Sequence, residues 1–201
     1  MRKLYIYLFI SRNKDNKHLP NFKERRQAFL EYNDNMEEVM KKFTRFVEEG
    51  QSGELARCYR SVNARNEDAV KKELMIRLLK DDHDVRKLNK LVISCAQAPQ
   101  CRAEHKWLID FDTIGSSLFH FCEDLVQMCG LTPDMFTIYS TVNGHAIVVD
   151  RGFDTRAIFE KYKDCDITLK KDDFLLIDYL TKDGDFFELT DEDFDYRLSE
   201  W

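Results

Sequence analysis

The sequence predicts an α+β fold: a mixed α/β module over residues 1–100 packed against a β-α-β-β-α-β module of ferredoxin-like or RNA-recognition-like type over residues 101–201, forming one compact globular unit. Three observations predict it. In the second half, short β-rich runs and helical stripes follow one another in the order strand, helix, strand, strand, helix, strand. Asn143-Gly144 stands between two β-rich runs and marks a hairpin. The chain has 201 residues, 43% of them hydrophobic and 34% charged, with seven Gly and three Pro, which describes a globular protein rather than a disordered one. At this length a core can be buried without disulfides or structural metal.

The elements follow in order. Tyr5 to Ser11 is an apolar strand, and the polar residues 12–21 with Pro20 form a loop. From Phe22 to Glu49, Phe29, Tyr32, Met36, Val39, Met40, Phe43 and Val47 recur at helical spacing, and Gly50 follows as a C-cap. Glu54 to Val62 reads as a strand. Asn66 caps a helix carrying Val70, Leu74 and Leu78. Residues 84–96 fit helix and strand equally. The boundary between modules falls near residues 97–105, around Pro99.

Lys106 to Phe111 is a buried strand ending in acids. Residues 114–129 put Leu118, Phe121, Cys122, Leu125 and Cys129 on one helical face, with Gly130 next. Phe136 to Val142 and Ala146 to Val149 are the hairpin strands. Asp154 caps a short helix through Tyr162. Ile167 to Leu169 and Phe174 to Leu180 are further strands, and Asp183-Gly184 marks a turn into one more strand in the tail.

Composition excludes some functions. Net charge is −6, against a broad electrostatic grip on nucleic acid. The acids concentrate at the end, where residues 182–201 hold eight acids and two bases, leaving the remainder balanced. No run of about 18 apolar residues is present. The apolar run near the N-terminus is short and lacks a small-residue cleavage site. The six cysteines form no CxxC pair. A cytoplasmic protein with reduced thiols and no membrane association is the expectation.

Three segments carry chemistry. In Trp107-Leu108-Ile109-Asp110-Phe111-Asp112 two acids lie two apart, which on a strand gives them one face. Two carboxylates so close repel unless a cation lies between them, and Mg²⁺ or Mn²⁺ suits such oxygen donors. In Phe174 to Leu180, Asp178 sits alone in an apolar strand, where burial demands compensation. In Ser140 to His145, the histidine opens the second hairpin strand. His145 lies 33 residues after Asp112, and Asp178 33 after His145. With the carboxylates on strands one and four of the module and the histidine on a hairpin between them, all three converge on one sheet face.

These motifs resemble those of the archaeo-eukaryotic primase and primase-polymerase superfamily: apolar-Asp-apolar-Asp, then a small residue and x-His, then apolar-apolar-Asp, here LIDFD, NGH and LLID across residues 104–181. The resemblance implies an archaeo-eukaryotic-primase-like fold. It implies Asp110, Asp112 and Asp178 as catalytic metal ligands for Mg²⁺ or Mn²⁺, and His145 as a contact to the triphosphate of an incoming nucleotide. Asn143 belongs to the same motif. Many members carry a longer Gly-rich approach to the histidine than Thr-Val-Asn-Gly-His. Implied partners are nucleoside triphosphates, a single-stranded DNA template and a helicase or other replication protein.

Phosphoryl transfer depends on positioning and electrostatics, so basic residues should face the triphosphate. Arg151 and Arg156 follow the histidine strand, Arg60 and Arg65 lie in the first module, and Lys170 and Lys171 could touch template backbone. Each residue also has a plainer reading. Asp110 and Asp112 could end a strand and cap the next helix, Asp178 could form a structural ion pair, His145 could be a satisfied sheet histidine, and the arginines could be solvated surface. Cys95, Cys101 and His105 give C-x5-C-x3-H, which is not a standard zinc spacing, so buried free thiols are the expectation. The aromatic and acidic tail reads as an edge strand and terminal helix, or a partner-binding segment. The leading function is a primase-type nucleotidyltransferase. A nucleotide- or nucleic-acid-binding protein without turnover and a metal-dependent nuclease are the alternatives.

Overall fold

The structure is a computed structural model and describes residues 2–80, 84–112, 117–142 and 144–184. It is a mixed α+β protein with two four-stranded antiparallel sheets in two compact units. The first unit holds the described residues of 1–104 and 174–187, and the second those of 105–173 and 188–201.

The first unit contains β1 (Leu4–Ser11), β2 (Arg25–Tyr32), α1 (Met36–Glu48), β3 (Leu55–Ser61), α2 (Glu67–Lys80), α3 (Leu88–Ala96) and β8 (Phe174–Thr181). Its sheet runs β2-β1-β3-β8. Strand β1 is buried on both faces, which is why its sequence is an unbroken apolar run rather than an alternating one. Tyr5, Tyr7 and Phe9 pack with Val39, Phe43, Phe46 and Val47 of α1 and with Ala56 and Cys58 of β3. Ile6, on the opposite face, packs with Val70 of α2 and with Cys95 and Ala96 of α3.

The helix expected over 22–49 is confined to α1, and residues 25–32 form a strand instead. Phe29, Tyr32 and Met36 match helical spacing, but β2 pairs with β1 along its whole length, from Leu4↔Tyr32 to Ser11↔Arg25. That pairing satisfies the backbone and lays Phe29 against the Tyr7 and Phe9 rings at 5.8 and 5.1 Å. Tertiary packing thus overrides a local periodicity that two structures share. The loop before β2 is pinned by buried Asn16, whose side chain donates to Ser11 Oγ and Leu55 O and accepts from the Leu55 N–H. Gly50 lies where a Cβ would meet the Arg25 and Glu54 side chains at 2.7 and 2.8 Å, so close approach explains this glycine. The expected cap of α2 is present: Asn66 Oδ1 accepts from the Ala69 N–H at 3.0 Å. Residues 84–96 resolve as helical, a 3-10 turn capped by Asp84 followed by α3.

The second unit is β4 (Trp107–Phe111), α4 (Ser117–Cys129), β5 (Phe136–Ser140), β6 (His145–Val149), α5 (Arg156–Lys161) and β7 (Ile167–Lys170). That is the expected β-α-β-β-α-β order, and the sheet runs β5-β6-β4-β7. Ile109, Phe111, Phe136, Ile147 and Val149 face Phe121, Cys122 and Leu125 of α4 and Ile158 of α5. Gly130 (φ +64°) closes α4 in the left-handed conformation that glycine adopts without strain. Residues 174–184, expected in the second module, belong to the first unit through β8. The further strand expected in the tail lies outside the described residues.

Phe111 is fully buried, with its ring 5.3 Å from that of Phe121. Phe111→Ala is expected to cost about 3–5 kcal/mol, the usual range for emptying an aromatic core site. A lowered urea midpoint for the second unit's transition measures it.

Candidate functional site

Strand β4 separates two chemistries by its period of two. Ile109 and Phe111 enter the helix-covered core, and Asp110 and, by the same alternation, Asp112 project to the opposite face. Cross-strand partners share a face, so Ala146 on β6 and Thr168 on β7 lie beside Asp110. Lys170, two residues beyond Thr168, reaches back along that face. Its Nζ donates to Asp110 Oδ2 at 2.9 Å and lies 3.4 Å from Asp173. Burial works to lower the Lys170 pKa, but the hydrogen bond and charge of Asp110, helped by Asp173, hold it above the ordinary value. Asp112 is exposed, and its N–H donates to Asp166 O at 3.0 Å.

The hairpin closes tightly over the end of β4. A Cβ on Gly144 would stand 2.9 Å from Asp112 Cα and 3.1 Å from Asp112 Oδ1, and closer still to the Phe111 carbonyl oxygen. Only a residue without a side chain lets the loop pass there. Gly144 N–H donates to Thr141 Oγ1 at 3.1 Å, and Thr141 N–H donates to Gly144 O at 2.9 Å. Asn143 lies outside the described residues.

His145 is opposite Phe111 on one side and Ser140 on the other. It therefore shares the face of Phe111, on the helix side, one position out of phase with Asp110 and Asp112. Its Nδ1 is buried without a hydrogen-bond partner. The expected convergence of the histidine and both acids on one sheet face is corrected by this register.

Asp178 belongs to β8, in the first sheet, opposite Cys58 and next to a register shift at Cys58/Tyr59. The sequence reading put it on the fourth strand of the module. That position is filled by β7, which pairs with β4 from Leu108 to Phe111 and takes up its second edge. Asp110 and Asp178 therefore stand on different sheets. The Asp178 carboxylate accepts the Tyr179 N–H at 2.7 Å, and burial raises its pKa more than that bond lowers it. Burial, then the Asp178 charge, pushes the Cys58 thiol well up.

The basic candidates stand in varied settings. Arg156 is exposed and forked onto Asp154, with Nη2–Oδ2 at 2.5 Å. Arg151 is exposed just past β6. Arg65 is buried, and its N–H donates to Leu4 O at 2.7 Å. Arg60, on β3, lies over the Tyr5 ring at 4.7 Å. Lys171 lies over the Trp107 ring at 5.0 Å. Cys95, on α3, and Cys101, just beyond it, are free, buried thiols in the core with Val70 of α2, and His105 is exposed. Sequence reasoning missed Lys170 as the partner of Asp110. Alternation along β7 carries the signal, since Thr168 and Lys170 are its polar face.

Asp110 and Asp112 supply hard oxygen donors, and a Mg²⁺ ion commonly uses one or two carboxylates with water and substrate phosphate completing its shell. The pair fits that role. A three-carboxylate centre does not gather: among the described residues no group of three or more His, Cys, Asp or Glu side chains is placed to hold a metal ion.

Two outcomes follow from this geometry. Gly144→Ala should destabilise the second unit by about 1–3 kcal/mol through overpacking, read as a lower melting temperature. Because Asp178 has its folded pKa above the ordinary 3.8, the folded state holds that proton more tightly. Stability therefore falls as pH rises from that value through the folded pKa. Asp178→Asn should stabilise the protein more at pH 7 than at pH 4, measured by denaturant titration at both. Compared with known families, curated proteins and solved structures, the chain finds no match.

Proposed function

We propose that the chain is a metal-dependent nucleotidyltransferase of primase-polymerase type, building or extending primers on a single-stranded template. The observation that carries the reading is the pair Asp110 and Asp112 on the face of a β-α-β-β-α-β sheet away from its helices, beside Lys170 and under a glycine hairpin. A β-strand holds two carboxylates about 6–7 Å apart along one face, a spacing that suits oxygens converging on phosphate-bound cations. A divalent ion bound there would neutralise triphosphate charge and lower the pKa of an attacking 3′-hydroxyl.

The chain's own groups then have separate tasks. Asp110 and Asp112 bind and orient. Lys170 donates to Asp110 at 2.9 Å and supplies a positive charge beside the pair. Arg151 is available for phosphate, whereas Arg156 is engaged by Asp154. The roles of His145 as a phosphate contact and Asp178 as a further carboxylate come from the motif resemblance. So do a helicase or other replication partner and action in the cytoplasm. No helix among the described residues is long and apolar enough to cross a membrane.

One observation favours a second reading, binding of nucleotide or nucleic acid without turnover. Asp110 is already neutralised by Lys170, and three ligands do not gather. Labelled-nucleotide incorporation on a single-stranded template with Mn²⁺ or Mg²⁺ separates the two. Asp110→Ala and Asp112→Ala should each lower the rate on the order of 10²–10³, the scale for losing one preorganised electrostatic group. Binding without incorporation by the wild type would leave the second reading. Nucleotide release from the template without added triphosphate would indicate a nuclease.

A further inference from the structure

Strand β5 sends one more side chain onto the face that carries the acids. Phe136 and Ile138 enter the helix-covered core, so Thr137 and Tyr139 project to the opposite face, the face of Asp110. Tyr139 is paired with Ala146 on β6, and Ala146 with Asp110 on β4. Thr168 on β7 completes a row that runs straight across the sheet: Tyr139, Ala146, Asp110, Thr168. Cross-strand partners share a face, so the phenol ring and the carboxylate stand on the same side.

Tyr139 is the one aromatic residue on that face among the described strand residues. It is half-buried, and its side chain has no hydrogen bond or ring contact among the described residues. Other rings of this unit are engaged: Phe111 and Tyr162 pack on Phe121, the Tyr162 hydroxyl donates to Asp124, and Trp107 lies against Phe153. Tyr139 also stands on the edge strand, so no further strand bounds it. Thr137, Thr168 and Asp112 are exposed, and the Asp110 side chain is 31% exposed, so solvent reaches both sides of the row. Ala146, between ring and carboxylate, carries only a methyl group, and no tall side chain separates them. Two strand spacings put the Tyr139 and Asp110 backbones about 10 Å apart. A ribose with its phosphates bridges a gap of that kind. An aromatic ring at a sheet surface stacks a nucleobase with little regard to its identity.

We propose that Tyr139 is the base-stacking residue of a nucleotide site on this sheet. The base of a nucleoside triphosphate lies on its ring, the ribose crosses Ala146, and the phosphates meet cations held by Asp110 and Asp112, with Lys170 beside them. The choice of a nucleotide as occupant rests on the reading above. The row of residues follows from the register alone.

The test is calorimetric titration of the full chain with ATP, and separately with sodium tripolyphosphate, both in Mg²⁺ and without template. Wild type is compared with Tyr139→Phe, Tyr139→Leu and Tyr139→Thr. The last two remove the π face while keeping side chains that an edge strand accepts. Each should weaken ATP binding about 10-fold, the scale of one base stacked on an aromatic ring. Each should bind tripolyphosphate as wild type does, which also reports an intact fold. Tyr139→Phe should bind both titrants like wild type. Equal ATP affinity in wild type and Tyr139→Leu, equal loss for both titrants, or no ATP binding by wild type overturns the proposal. Primer synthesis is scored separately. Selective loss of ATP affinity in a protein that incorporates nothing keeps the stacking residue and removes the nucleotidyltransferase reading. Incorporation with an unchanged nucleotide KM in Tyr139→Leu does the reverse.

Discussion

The second unit depends on the register of β4 between β6 and β7. Residues directly opposite across an antiparallel ladder share a face, and the side-chain period is two. With Ile109 opposite Ile147 and Leu169, a continuous apolar layer meets α4 and α5. The same register leaves Asp110 and Asp112 on the other face without a separate device to keep them there. A slip of one residue would bury both carboxylates under the helices and turn Phe111 out. The strong apolar core thus holds the acid pair in place, and the acid pair contributes little to stability itself.

The register also constrains the histidine. His145 follows the phase of Phe111, so its ring is set against the helix side of the sheet while the glycine before it passes over Asp112. Hairpin and strand meet at backbone rather than side-chain distance there. Asp110 has a companion along β7, where Lys170 pairs with it.

In the first unit, β1 is the shared wall of two cores, and its two-sided burial brings polar groups into dry surroundings. Most of those groups are matched. Glu54 is met by Arg25, Asp15 by Arg57 and Arg12, and the Asn16 amide by Ser11 and Leu55. Arg60 is half-buried and lies over the Tyr5 ring beside Tyr7, its cross-strand partner on β1.

Much of this was legible from sequence because local rules suffice for it. The alternation in WLIDF, the Asn66 cap, the left-handed Gly130 and the β-α-β-β-α-β order all follow from periodicity, capping and turn chemistry within short windows. What tertiary structure decided is which strands are neighbours and in which phase. Residues 25–32 carry spacing compatible with helix, and only the open edge of β1 makes them a strand. Phe174 to Thr181 reads as a strand in either unit, and pairing with β3 rather than β4 sends Asp178 to the first sheet. The alignment of His145 with Phe111, and of Lys170 with the Asp110 face, depends on a one-residue register that no window of sequence contains. Sequence encodes each segment's preference, while partner and register are settled by the burial of whole faces, a long-range quantity.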